Sequence, residues 1–84
     1  MTNTLTTEQI AQSYTAMGHS VSLITDVIAG NDPMMAGESA AERQGCVDRN
    51  VEHLELMVAK DYWTSEDMTA TNAAITAGNG YTAS

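Results

Sequence analysis

Residues 6–30 read TTEQIAQSYTAMGHSVSLITDVIAG, the most regular apolar pattern in the chain. Its apolar residues Ile10, Tyr14, Met17, Val21, Ile24 and Ile28 follow at intervals of 4, 3, 4, 3 and 4. Such spacing lines one side of an α-helix and extends over more than two heptads. Both ends are marked. Thr6 can accept from the backbone three residues on, where Gln9 completes a capping box, and Leu5 can staple onto Ile10. Gly30 tolerates the left-handed conformation that closes helices. A first helix is therefore expected over residues 6–29.

A second row runs beside that seam: Ala11, Thr15, Gly18, Ser22, Thr25 and Ala29. Every member is small, so a neighbouring backbone can approach closely. After its cap the helix carries only two charges, Glu8 and Asp26. The pattern predicts either a helix covered on more than one side, by its own chain or a second copy, or a weakly polar exposed face.

Outward from this helix, residues 30–38 read as a connection. Asp32-Pro33 can open a helical turn, since Pro suits a first helical position. Met34 and Met35 are then lids on one end of a bundle or an adaptable contact surface. A second helix is expected over 39–62, opened by Ser39 with Glu42 as a capping box. Its seam is Ala40, Val47, Val51, Leu54, Val58 and Tyr62, widened by Leu56 and Met57. Gly45 inside it marks a close crossing or a break. A third helix is expected over 64–77, with Thr64 and Asp67 as a third capping box, Trp63 as its staple on Met68, and Met68, Thr71 and Ile75 as its pattern. Residues 78–84 lack periodicity and read as a tail. No stretch shows the alternation of a strand.

Short links favour antiparallel neighbours. The expected fold is all-α: an antiparallel helical hairpin with a short third helix folded over its end, a small three-helix bundle. It forms one domain, residues 1–84. Its expected core is Ile10, Tyr14, Met17, Val21, Ile24, Ile28, Val47, Val51, Leu54, Val58, Met68 and Ile75.

The 84 residues hold 3 Lys and Arg against 11 Asp and Glu, a formal net charge of -8. That balance argues against a nucleic-acid backbone and against an anionic membrane surface as partners. One cysteine, Cys46, allows no disulfide within the chain and fits a reducing compartment. Met1 to Thr7 is polar and carries no signal-peptide pattern, and no apolar run reaches membrane-spanning length. A cytoplasmic protein is expected. A chain of this size buries only roughly 60% of its unfolded surface, so self-association is a natural source of further stability.

Chemistry-bearing residues are sparse. His19 and His53 belong to no metal-ligating motif, and no metal or cofactor is expected. Cys46 has Arg43 and Arg49 three residues to either side, which can lower a thiol's pKa, but no oxyanion device lies nearby. Glu66 and Asp67 suit the first turn of a helix, and Glu52 and Glu55 a solvated face. No phosphate-binding, nucleophile-elbow or calcium-loop motif occurs. A non-enzymatic protein is expected. Tyr62-Trp63 is a candidate anchor for a partner or a part of the core.

The stretch RNVEHLELMVAKDYWTSEDM (residues 49–68), continued by Asn72-Ala-Ala-Ile75, resembles small uncharacterised proteins of marine tailed phages. The resemblance covers about a third of the chain and brings no activity to any residue. It implies a small phage accessory protein, in the virion or acting on a host component.

Taken together, the residues point to an acidic helical module that packs on itself as a homo-oligomer or on another protein. Tyr14, Met17, Val21 and Ile24 are the expected packing surface; Met34, Met35, Tyr62 and Trp63 are further contact candidates. The alternative is an acidic inhibitor or nucleic-acid mimic seated in a basic groove of another protein.

Overall fold

Helix α1 (Thr7–Ala29) starts and stops where its caps dictate. Thr6 Oγ1 accepts from the Gln9 amide at 3.1 Å, and Gln9 Oε1 accepts from the Thr6 amide at 2.9 Å. Gly30 closes the helix at φ 78°, the left-handed region where a side chain would be strained. A computed structural model describes residues 5–61, 63 and 66–84, and places α1 in an all-α bundle with α2 (Ala40–Val58) and α3 (Thr69–Asn79). Each helix packs against the other two. No strand occurs among the described residues.

The core lies along the bundle axis and joins Met17, Ile24 and Val27 of α1 to Cys46, Val47, Val51 and Leu54 of α2. Ala74 of α3 and Trp63 complete it. Ile10, Tyr14, Val21, Met68 and Ile75 are half-buried against this cluster. Ile28, expected in the core, is instead 36% exposed, and Val27 points inward. The reason is that α1 has two neighbours rather than one. Its buried arc is wide and takes in Ser13, Ser20 and Leu23, which are half-buried on the Val27 side. Ile28 is in line with Ile10 but lies in the last turn of α1. Leu56, expected to widen the stripe of the second helix, is 62% exposed. Val58 is only half-buried.

Helix α2 opens at Ser39 as expected, with Ser39 Oγ accepting from the Glu42 amide at 3.2 Å, but the capping box is half formed, because the Glu42 carboxylate meets the Ser39 hydroxyl rather than its amide. It runs unbroken through Gly45. It ends at Val58, four residues before the expected end at Tyr62, which lies outside the described residues. Trp63 explains the early stop. Its indole Nε1 donates to the Met57 carbonyl at 2.7 Å, and the Lys60 amide donates to the same oxygen at 3.0 Å. A carbonyl that would continue the helix is thereby engaged by a loop.

Helix α3 begins at Thr69 rather than at Thr64, which lies outside the described residues. Asp67 acts here in a different way from the expected capping box: its own carboxylate accepts from the Thr69 amide at 3.0 Å. The helix also runs on through Gly78 and Asn79, which were expected in the tail. Small residues face inward on α3. Thr71, Ala74 and Gly78 are buried, and a Cβ on Gly78 would stand 2.2 Å from Val51 Cγ2 and 3.4 Å from Val47 Cγ1. Glycine at this position is what lets α3 sit against α2. Residues 81–84 then fold back onto the bundle, with Tyr81 half-buried against the core.

Candidate interaction surfaces

Of the eight residues expected to make contacts, Tyr62 lies outside the described residues, and the other seven differ in exposure. Met17 and Ile24 are 1% and 0% exposed inside one chain, so neither is open to a partner. Tyr14, Val21 and Met35 are half-buried and pack on the same core. Met34 is 81% exposed, beside the turn in which the Asp32 carbonyl accepts from the Met35 and Ala36 amides. Of the two methionines, Met35 is thus the lid and Met34 the exposed side chain.

Trp63 is 8% exposed and belongs to the core rather than to an exposed anchor. Its ring lies 6.3 Å from that of Tyr14 at an interplanar angle of 51°. The Tyr14 hydroxyl donates to the Asp67 carbonyl at 2.5 Å. Tyr14 and Trp63 together pin the α2–α3 connection across the end of the bundle. An open cleft of about 420 Å³ lies at this end, lined by Val58, Lys60, Asp61, Trp63, Met68 and Asn72.

At the opposite end, residues 81–84 pass over the start of α2. A second cleft, of about 380 Å³, opens there between the end of α1, Arg43 and this segment. The Gln44 side-chain amide donates to the Tyr81 carbonyl at 3.1 Å and accepts from the Ala83 amide at 2.7 Å. Arg43 Nη2 donates to the Ser84 carbonyl at 2.8 Å. Sequence reasoning missed this arrangement. Its partners lie 37 to 41 residues apart, and no local pattern in the sequence links them.

The long row of small residues on α1 faces away from the core. Ala11, Thr15, Gly18, Ser22, Thr25 and Ala29 are all exposed. Nothing lies within 4 Å of where a Gly18 Cβ would be. The hydroxyls of Thr15 and Thr25 turn back to the Ala11 and Val21 carbonyls at 3.1 and 2.9 Å, which leaves their methyl groups as the outer surface. Ile28 borders the row, three residues from Thr25. Between Glu8 and Asp26 the helix carries no Asp, Glu, Lys or Arg.

His19 and His53 are both exposed, on different helices, and Cys46 is a buried free thiol. No group of three or more His, Cys, Asp or Glu among the described residues is placed to hold a metal ion. The two perturbed carboxyls serve helix starts. A hydrogen bond from the Thr69 amide, then one from the Thr69 side chain, holds Asp67 below the usual carboxylate range. A shared hydrogen bond with Glu42, and repulsion from it, pushes Glu38 up. No helix among the described residues is long and apolar enough to cross a membrane. The geometry thus offers one long uncharged helix face, two end clefts and a clamped extended segment. No family model, curated protein or solved structure matches the chain.

Proposed function

We propose that this chain is a non-enzymatic, self-associating helical module whose contact surface is the outer face of α1. The observation that carries the reading is the exposed row Ala11, Thr15, Gly18, Ser22, Thr25 and Ala29 on a helix without charge between Glu8 and Asp26. On a chain of net charge -8, two copies repel over most of their surface. This face is where they can meet without juxtaposing carboxylates. Small side chains let two helix axes come close, near the roughly 8 Å lower end of helix-packing distances. The seam first expected to make this contact packs inside the chain, and the contact therefore moves to the neighbouring outer face of the same helix. The resemblance of residues 49–75 supports an accessory role in a phage, and the single cysteine supports a cytoplasmic setting.

The test is absolute mass in solution, by light scattering on a sizing column at low and high salt. The expected result is an oligomer that survives salt, because apolar packing is not screened. Ser22→Arg, at an exposed position, should give a folded monomer. A monomeric parent protein, or an unchanged oligomer carrying Ser22→Arg, overturns the reading. Capture of a basic partner that salt abolishes would favour the alternative, an acidic inhibitor or nucleic-acid mimic.

A further inference from the structure

We infer that Arg43 and Gln44 form a clamp for extended peptide backbone, and that the segment 81–84 of a second copy can occupy it in place of the chain's own. Three observations carry this. First, Gln44 brackets the segment as a β-strand would: one amide group donates to the carbonyl of Tyr81 and accepts from the N–H of Ala83, two residues on. Arg43 adds a bond to the Ser84 carbonyl. Every atom held is main chain, so the clamp recognises an extended backbone, with Tyr81 packed on the core as the one side-chain anchor.

Second, the clamp is oriented by groups outside the segment it holds. The Gln44 amide also donates to the Asp48 carboxylate one turn along α2, at 3.0 Å. The Arg43 guanidinium also donates to the Glu38 carbonyl. Both side chains keep these partners when the segment leaves. A site organised in this way stays competent to bind, because little ordering remains to be done.

Third, the occupant suits exchange between copies. The side chains of residues 79–84 carry no charge, so a segment can cross from one chain of net charge -8 to another without bringing a carboxylate side chain to the contact. The segment joins α3 through Gly80 alone. A second copy presents the same backbone and the same tyrosine. The surfaces involved are distinct from the outer face of α1, so the two readings stand or fall separately.

A segment tethered in cis has an effective concentration in the millimolar range, so exchange becomes visible near ~1 mM chain. The experiment mixes ¹⁵N-labelled parent chain with unlabelled chain carrying a nitroxide at Ser84→Cys in a Cys46→Ala background. The expected result is concentration-dependent broadening of the backbone amides of residues 43–47 in the labelled chain. An excess of the capped peptide Gly-Tyr-Thr-Ala-Ser should restore those signals, and Gln44→Ala in the labelled chain should abolish the broadening. Broadening that the peptide does not relieve comes from pairing elsewhere, such as through α1, and absence of any peptide-sensitive broadening at residues 43–47 overturns the proposal whether or not α1 pairs. Titrating the same peptide into unsubstituted labelled chain is a second measurement that needs no variant. It should shift the Gln44 side-chain amide and move Ala83 towards an unbound signal. Absence of both effects at millimolar peptide overturns the proposal as well.

Discussion

Two glycines of identical composition have opposite meanings at the scale of the residue. Gly78 faces Val51, Val47 and Ile24, and a Cβ there would stand 2.2 Å from the Val51 side chain. Val51 is buried and β-branched, so it has little freedom to move aside. Gly78→Ala should therefore cost about 1–3 kcal/mol through overpacking. Gly18 lies in the interior of α1 with nothing near its absent Cβ. Gly18→Ala should stabilise by about 0.5–1 kcal/mol, because alanine loses less backbone freedom on forming a helix. Urea unfolding of the two variants at low protein concentration checks both signs. Equal effects would mean that α3 does not pack on α2 at Gly78.

The helices differ in how completely their own residues define them. Helix α1 was legible at both ends, because Thr6, Gln9 and Gly30 act within a few residues of where they sit. Helix α3 was legible only in kind. Its start depends on Asp67, whose carboxylate caps the Thr69 amide, and on a loop pulled across the bundle by Trp63. This dependence has a signature in pH. Asp67 titrates below its ordinary value near 3.8 in the folded chain. The folded state then binds fewer protons than the unfolded one, so its contribution is present above that pH and lost as pH falls through the folded value. Glu38 titrates above its ordinary value near 4.5, so its contribution is present below that pH and lost as pH rises through the folded value. Protection of the first turn of α3 against hydrogen exchange, relative to the intrinsic rate at each pH, should fall in acid, and Asp67→Asn should flatten that dependence. Glu38→Gln should flatten only the limb above 4.5, read as the stability of the α2 start.

At the scale of the whole molecule, the end of the bundle beside Trp63 acts as one unit. The indole bonds to the Met57 carbonyl, and the Tyr14 hydroxyl bonds to the Asp67 carbonyl from the other side. Both bonds hold the same connection. Tyr14→Phe should cost about 1 kcal/mol, the net worth of an ordinary hydrogen bond, and Trp63→Phe should cost more, because it also removes buried ring volume from the core. Once one bond is lost the connection loosens, so the double variant should cost less than the sum. Additivity within about 0.3–0.5 kcal/mol would show that the two bonds are independent. Far-ultraviolet circular dichroism followed through urea unfolding suits all three variants, because it does not depend on the single tryptophan.

The class of fold, the position of α1 and the start of α2 are all legible in the residues alone. These rest on apolar periodicity and on caps, which are interactions between residues three or four apart. The tertiary structure alone decided which side of α1 is spent in the core. A seam pattern locates a face but does not say how many neighbours share it; two neighbours buried Val27, left Ile28 exposed and turned the small-residue row outward. The same holds for the end of α2, the start of α3 and the seating of residues 81–84. Each is set by a bond that no helix period specifies, from Trp63 to Met57, from Tyr14 to Asp67 and from Gln44 to Tyr81 and Ala83. Of these only the Tyr14 and Gln44 bonds span more than 30 residues, and the Trp63 bond, six residues long, exists only because the core draws the indole inward.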